Sequence, residues 1–237
     1  MMTPHTAMVL AAGYGTRMGA LTADRPKPLL TVCGQTLLDR TLDLAAAANT
    51  QRVVVNVHYL GDQIRAHLED RALPHITLSE EQPQILDTGG GVAKALPYLG
   101  AEPFFVLNSD NVFVGPNPLQ AAVQGWNSDR MDVCLLLIPK AHARAYMRPG
   151  DFLLDYNGYP VRRGAAAEAA YVYVGVQIMK PDVFKKVPKG PFSMNVIWDH
   201  LLEQGRLGVA IYQGTWVDVG TPEGLAAAES ALAEHNA

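Results

Sequence analysis

The sequence predicts an α/β protein built on a doubly wound, mostly parallel sheet. Three observations lead to that class. Through the first 139 residues, short apolar runs alternate with stretches of helical length. The runs are apolar throughout, as expected of strands covered on both faces. Segments rich in Gly, or in Asn and Asp, follow the first and fourth runs, where an open α/β sheet places its ligand crevice.

The elements follow in order. Residues 6–10 form the first strand, carried by Met8, Val9 and Leu10. A helix over 37–48 leads to a strand at 52–57, and a helix over 61–68 leads to a strand at 76–79. A glycine-opened helix at 90–98 precedes the strand 103–107, and a helix at 117–126 precedes the strand 132–138. Beyond residue 139 the pattern becomes polar and turn-rich. Asn157-Gly158 predicts a hairpin turn between 152–154 and 159–161. A strand over 171–179, a loop entering a helix across 191–203 and an Ala-rich helix over 225–233 complete the chain.

The 237 residues suit one large α/β domain or one domain with a small lobe. A hydrophobic content of 49% with 18% charged residues is that of a folded chain. The net charge of −4, with no run of Lys or Arg, excludes a general nucleic-acid binder. Cys33 and Cys134 have no metal-ligand or disulfide spacing and are expected to be reduced and packed. No signal-peptide pattern and no apolar run near the roughly 20 residues of a membrane span is present, so a cytoplasmic enzyme is expected. The seven histidines include no i, i+4 metal pair, and His200 beside Asp199 reads as structural.

The segment Leu10-Ala11-Ala12-Gly13-Tyr14-Gly15-Thr16-Arg17-Met18 follows the first strand, and Lys27 lies beyond it in Pro26-Lys27-Pro28. Its small residues permit the close approach and unusual dihedrals of a phosphate-cradling turn. Arg17 and Lys27 bring two cations able to neutralise a polyphosphate. Position 18 is Met, which excludes G-x-G-x-x-G, and Gly15 is not followed by the Lys-Ser/Thr pair of a P-loop. Asp110 ends a strand, and Asp218 stands in Trp216-Val217-Asp218-Val219-Gly220-Thr221. Two such carboxylates can bridge magnesium, although either alone also reads as a turn or capping residue. Asp87-Thr88-Gly89-Gly90-Gly91 opens a helix carrying Lys94, with Asp87 or Thr88 as its cap. Its amides suit an anionic or carbonyl-rich ligand, and a capped helix start without ligand is equally compatible.

The stretch 10–29 resembles the signature of the sugar-1-phosphate nucleotidyltransferases, L-A-A-G-x-G-T-R-[ML] followed by P-K-P. It departs mildly at Ala20-Leu21-Thr22, where the family often has Pro-Leu-Thr. Asn108-Ser109-Asp110 resembles the family's N-x-D metal site, and the segment from Trp216 to Glu223 resembles W-x-D-[IV]-G-T-P. The resemblance implies a nucleotide-diphospho-sugar transferase fold, Rossmann-like, with a small sugar-binding lobe. It implies one domain over 1–237, with the nucleotide in about 1–139 and the sugar-binding part and closing helix in about 140–237.

Carried over position by position, the resemblance implies nucleotide contacts from Ala11, Ala12, Gly13, Gly15, Thr16, Arg17, Lys27, Glu81, Gln82, Thr88, Gly89 and Asn108. It gives Arg17, Lys27 and Asp110 catalytic roles, and makes Asp110 and Asp218 ligands of Mg2+ with Asn111 a weaker candidate. Gly150, Glu168, Tyr173, Gly175 and Asn195 stand where relatives contact the sugar or its phosphate. The run from Asp87 to Pro97 resembles the members that transfer uridylyl groups to N-acetylmuramic acid 1-phosphate in cell-wall recycling. That implies UTP and a sugar 1-phosphate as partners, with Arg144, Arg148, Arg162 and Arg163 available for a lactyl carboxylate. The compact length agrees, with no β-helix or acyltransferase domain expected to follow. The protein is expected to be a monomer or small homo-oligomer without nucleic-acid or membrane partners. A mannose, glucose or heptose 1-phosphate used with GTP, TTP or CTP is the alternative within the family. A non-catalytic nucleotide-sugar sensor is the alternative outside it.

Overall fold

The structure is a computed structural model and describes residues 3–236. Strand β1 (Thr6–Leu10) runs into the glycine loop, two 3₁₀ turns (Thr16–Thr22 and Lys27–Leu29), the small hairpin β2 (Thr31–Val32) and β3 (Gln35–Thr36), and helix α1 (Leu37–Ala47). Then come β4 (Arg52–Val57), α2 (Gly61–Leu68), β5 (His75–Glu80), α3 (Asp87–Leu99), β6 (Phe104–Asn108), β7 (Asn111–Val114), α4 (Pro118–Gly125) and β8 (Val133–Pro139). The remainder holds β9 (Ala143–Arg144), β10 (Phe152–Leu154), β11 (Pro160–Arg162), β12 (Tyr171–Met179), α5 (Asn195–Glu203), β13 (Leu207–Ile211), β14 (Thr215–Asp218) and α6 (Pro222–Asn236).

Nine strands form the main sheet. β5, β4, β1 and β6 lie side by side in parallel, β12 enters antiparallel between β6 and β8, and β13 closes the edge parallel to β8. The β10–β11 hairpin hangs on the start of β12. A second sheet pairs β14 with β7 and β9. The second half of the chain thus shares the main sheet with the first.

Successive residues explain why the strands read as unbroken apolar runs. Val9, Val55 and Leu107 pack with Leu38, Leu42 and Leu119 on one face, while Met8, Val54 and Val106 pack with Val92, Leu99 and Ile197 on the other. Thr36 caps α1, its hydroxyl accepting from the Asp39 amide at 3.0 Å, and Asn117 caps α4 through the Leu119 amide at 2.9 Å. A third cluster, including Met18, Leu30, Val217 and Ala228, seats the glycine loop and α6 against β14.

The predicted strands and helices of the first half are present within a few residues. Helix α3 starts at Asp87, three residues ahead of the predicted 90, with neither Asp87 nor Thr88 as its cap. Instead the Phe192 carbonyl accepts from the Gly89 and Gly90 amides at 2.9 and 3.1 Å. The predicted hairpin forms, its turn held by Asp155 Oδ1, which accepts from the Asn157 and Tyr159 amides at 2.8 Å each. Cys134 is buried in β8, but Cys33 is exposed in the β2–β3 turn, so it is free rather than packed. Among the described residues no helix is long and apolar enough to cross a membrane.

Candidate active site

The carboxyl ends of β1, β4, β6 and β14 converge on two adjoining clefts. The first, of about 320 Å³, is lined by Ala11, Ala12, Gly13, Gly15, Thr16, Arg17, Lys27, Asn56, Glu81, Thr88, Asn108 and Asp110, among others. The second, of about 410 Å³, is lined by Tyr173, Gly175, Asn195, Gly150, Asp151, Trp216 and Asp218 together with Arg148, Arg162 and Arg163. Arg17, Asn108 and Asp110 belong to both. A molecule in either cleft therefore meets its neighbour at these three side chains.

The glycine loop owes its shape to close packing. Gly15 has φ +65°, and a Cβ there would stand 3.0 Å from Lys27 Cβ and 3.1 Å from Thr22 Cγ2. Its carbonyl accepts from the Met18 amide at 2.9 Å and the Thr22 hydroxyl at 3.1 Å. Arg17 is exposed and makes no hydrogen bond or ion pair among the described residues, leaving its guanidinium available. Lys27 is buried, and its ammonium donates to Asp110 Oδ2 at 2.5 Å. The expected phosphate cation and the expected metal carboxylate are thus paired with each other. Ser109 secures the same strand end, its hydroxyl donating to the Leu10 carbonyl at 2.7 Å.

Asp218 sits where burial opposes its charge. Desolvation pushes its carboxyl above the ordinary aspartate range; Arg148 opposes the shift, Asp110 adds to it, and Arg17 and Lys27 oppose it. Two carboxylates, hard oxygen donors at adjacent strand ends, suit a divalent cation that takes its remaining ligands from phosphate and water. Among the described residues no group of three or more His, Cys, Asp or Glu could hold a metal. Asn111 is buried, and its amide donates to the Val174 carbonyl at 3.0 Å, tying β7 to β12.

The second cleft is polar and cationic. Arg148 donates to Asp218 Oδ2 at 3.2 Å and lies over the Tyr146 ring, which burial pushes up to a pKa of about 12. Arg162 donates to Asp199 and Asn195 and lies over the Phe152 and Trp198 rings. Arg144 is excluded from the cleft, since it pairs with Glu234 of α6 at 2.8 Å. Gly175, at φ +76°, marks the irregularity in β12 where a Cβ would stand 2.3 Å from Asn111 Nδ2 and 2.9 Å from Asn108. Glycine there lets β12 approach the end of β6.

Three expected contacts lie outside both clefts. Gln82 is exposed beyond the lining, because the chain turns away after β5. Gly89 is buried beneath Phe192, whose ring would lie 2.3 Å from an added Cβ, so this glycine serves helix-to-loop packing. Glu168 is an exposed side chain paired with Lys140 at 2.8 Å. Lys94 is likewise exposed and lines neither cleft. Glu81 does line the first cleft, but both carboxylate oxygens are occupied, by Asn56 Nδ2 and the Leu86 amide at 2.6 Å each. Asn56, Asp151, Trp198 and Trp216 line the clefts as well, outside the set expected from the sequence. A signal existed for Asn56, the single polar side chain near the carboxyl end of the apolar run Val53-Val54-Val55-Asn56-Val57.

The MobA-like NTP transferase domain matches residues 7–174. The chain is 42% identical to the N-acetylmuramate alpha-1-phosphate uridylyltransferase of Caulobacter vibrioides over 98% of both sequences. It is 33% identical to the protein of the same name from Neisseria meningitidis serogroup B, covering 91% of this chain and 93% of that one. Among solved structures, the inositol-1-phosphate CTP transferase from T. maritima superposes with a TM-score of 0.76 at 20% identity, covering 94% of this chain and 92% of that one. That likeness bears on the fold alone.

Proposed function

The chain belongs to the MobA-like NTP transferase family, and we propose that it transfers a uridylyl group from UTP to N-acetylmuramic acid α-1-phosphate, releasing pyrophosphate. The observation that carries this reading is the 42% identity, over 98% of both chains, with the Caulobacter uridylyltransferase. The geometry supports it: a cleft rimmed by small residues and cations adjoins a polar cleft with four arginines, and both share Arg17, Asn108 and Asp110. UTP takes the first cleft and the sugar phosphate the second. We assign the nucleotide part to about 1–139 and the sugar part to about 140–237.

The phosphate oxygen of the sugar is already ionised near neutral pH, so it attacks the α-phosphorus without a general base. The enzyme's work is alignment and charge stabilisation. Arg17 takes the leaving pyrophosphate. Lys27, once released from Asp110, takes the phosphate oxygens around the reacting centre. Asp110 and Asp218 would hold Mg2+, which when bound would neutralise phosphate charge. Arg148, Arg162 and Arg163 line the sugar cleft and offer cations for the lactyl carboxylate. Such an enzyme serves cell-wall recycling in the cytoplasm.

Pyrophosphate release, measured with UTP, GTP, TTP and CTP against muramic, mannose, glucose and heptose 1-phosphates, tests the assignment. UTP with N-acetylmuramic acid 1-phosphate is expected to give the highest kcat/KM. A different preferred pair overturns the substrate assignment, and magnesium-dependent binding without turnover overturns the enzyme.

A further inference from the structure

We propose that Asn56 and Glu81 are positioning residues for the nucleotide, forming a buried strut that sets the separation between the glycine loop and the segment opening α3. The proposal rests on reading the first cleft as the UTP site. Glu81 is fully buried, and Asn56 is 3% exposed. The strut runs through four groups. The Ala11 amide donates to Asn56 Oδ1 at 2.7 Å, Asn56 Nδ2 donates to Glu81 Oε1 at 2.6 Å, and the Leu86 amide donates to Glu81 Oε2 at 2.6 Å. Glu81 makes no ion pair among the described residues; its carboxylate is held by N–H donors alone.

Polarity fixes these residue types. A carboxylate only accepts, and both of its oxygens here face donors. Asn56 must accept at one end and donate at the other, which a side-chain amide does. Burying an uncompensated carboxylate is costly, and apolar side chains would fill the same space at no such cost. The strut joins the two walls of the cleft, since Ala11 begins the glycine loop and Leu86 immediately precedes α3. A second tie runs alongside: the Glu81 carbonyl pairs with His58 Nδ1 at 2.6 Å, and His58 Nε2 with the Tyr14 hydroxyl at 3.2 Å. UTP entering between these walls meets a preset width and loses less free energy in ordering them.

The test is an exchange of polarity. Asn56→Asp sets two carboxylates face to face, and Glu81→Gln leaves one donor facing another. Combined, the two changes restore every bond: the aspartate introduced at 56 accepts from Ala11 and from the new amide, whose oxygen accepts from Leu86. Each single variant is expected to raise the calorimetric Kd for UTP by about tenfold or more, while kcat at saturating UTP falls less than about threefold. The double variant is expected to return within about threefold of the wild-type Kd. Gly91→Ala probes the strut independently from α3, because a Cβ there would lie 2.5 Å from Glu81 Oε1 and 2.9 Å from Asn56 Nδ2. It is expected to weaken UTP binding likewise, and it decides the matter if the single variants do not fold. Unchanged UTP affinity in the singles or in Gly91→Ala, or a double variant as weak as the two singles multiplied, overturns the strut. Wild-type protein that neither binds UTP nor releases pyrophosphate overturns the functional reading beneath it.

Discussion

At the scale of single residues, the site is organised by charges that compensate one another before any substrate arrives. Lys27 and Asp110 form one pair, Arg148 and Asp218 a second, looser one, and Arg17 stands apart. Lys27→Ala is expected to lower kcat by about 100-fold to 1000-fold, as for loss of a group that stabilises charge in the transition state. The same change should cost only about 1–2 kcal/mol of folding free energy by denaturant titration, since Asp110 keeps part of its contact with water. Near-normal turnover would sink the assignment of Lys27. Asp218 makes the opposite case. Burial disfavours its ionised form, so Asp218→Asn should raise the thermal midpoint in the presence of a chelator. Activity with magnesium should fall at least about 100-fold. A lower midpoint would show that the charge is not held there at the expense of stability.

At the scale of elements, Asp132 shows how the late strands are tied together. It stands just before β8, accepts from Lys180 after β12 at 2.8 Å, and accepts two hydrogen bonds from Arg206 before β13 at 3.0 and 2.8 Å. Chiefly through Arg206, its carboxyl is held at about 2, below the ordinary 3.8. A depressed carboxylate contributes stability above its unfolded pKa and loses it as pH falls through the folded one. Its share should therefore be present above pH 4 and vanish between about pH 4 and 2. Urea unfolding across that range should show a shallower pH dependence in Asp132→Asn, with kcat at pH 7 unchanged. Identical slopes would discard the tie. None of this was legible in the sequence, because a salt bridge between positions 74 residues apart has no local signal. What was legible was local: Met8 to Leu10, Arg52 to Val57 and Tyr171 to Met179 carry their periodicity in their own residues, and the Gly15, Lys27 and Asp218 motifs carry their spacing. The short strands β7, β9 and β14 depend on partners far along the chain and left no pattern. Gly89 read as a ligand contact for a related reason: a glycine required by a distant Phe192 looks the same in sequence as one required by a nucleotide.

At the scale of the whole molecule, the two clefts are joined through one sheet. Strand β12 comes from the second half of the chain yet pairs with β6 and β8 of the first, and Gly175 within it abuts Asn108 at the shared edge of the clefts. The halves cannot separate without breaking those ladders, so the protein should unfold in a single transition. UTP binding to the first cleft should then stabilise the entire chain. At a free concentration of 100 times its Kd, a ligand bound only by the folded state adds about 2.7 kcal/mol, or about 5–10 °C in Tm for a chain of this size. Calorimetry with UTP and magnesium should show that shift in one undivided peak. The shift should shrink in Asn56→Asp and return in the Asn56→Asp, Glu81→Gln double variant. A thermogram that splits, with nucleotide raising only its first component, would mean that β12 does not weld the halves into one cooperative body. Communication between the two substrates would then have to run through Arg17, Asn108 and Asp110 alone.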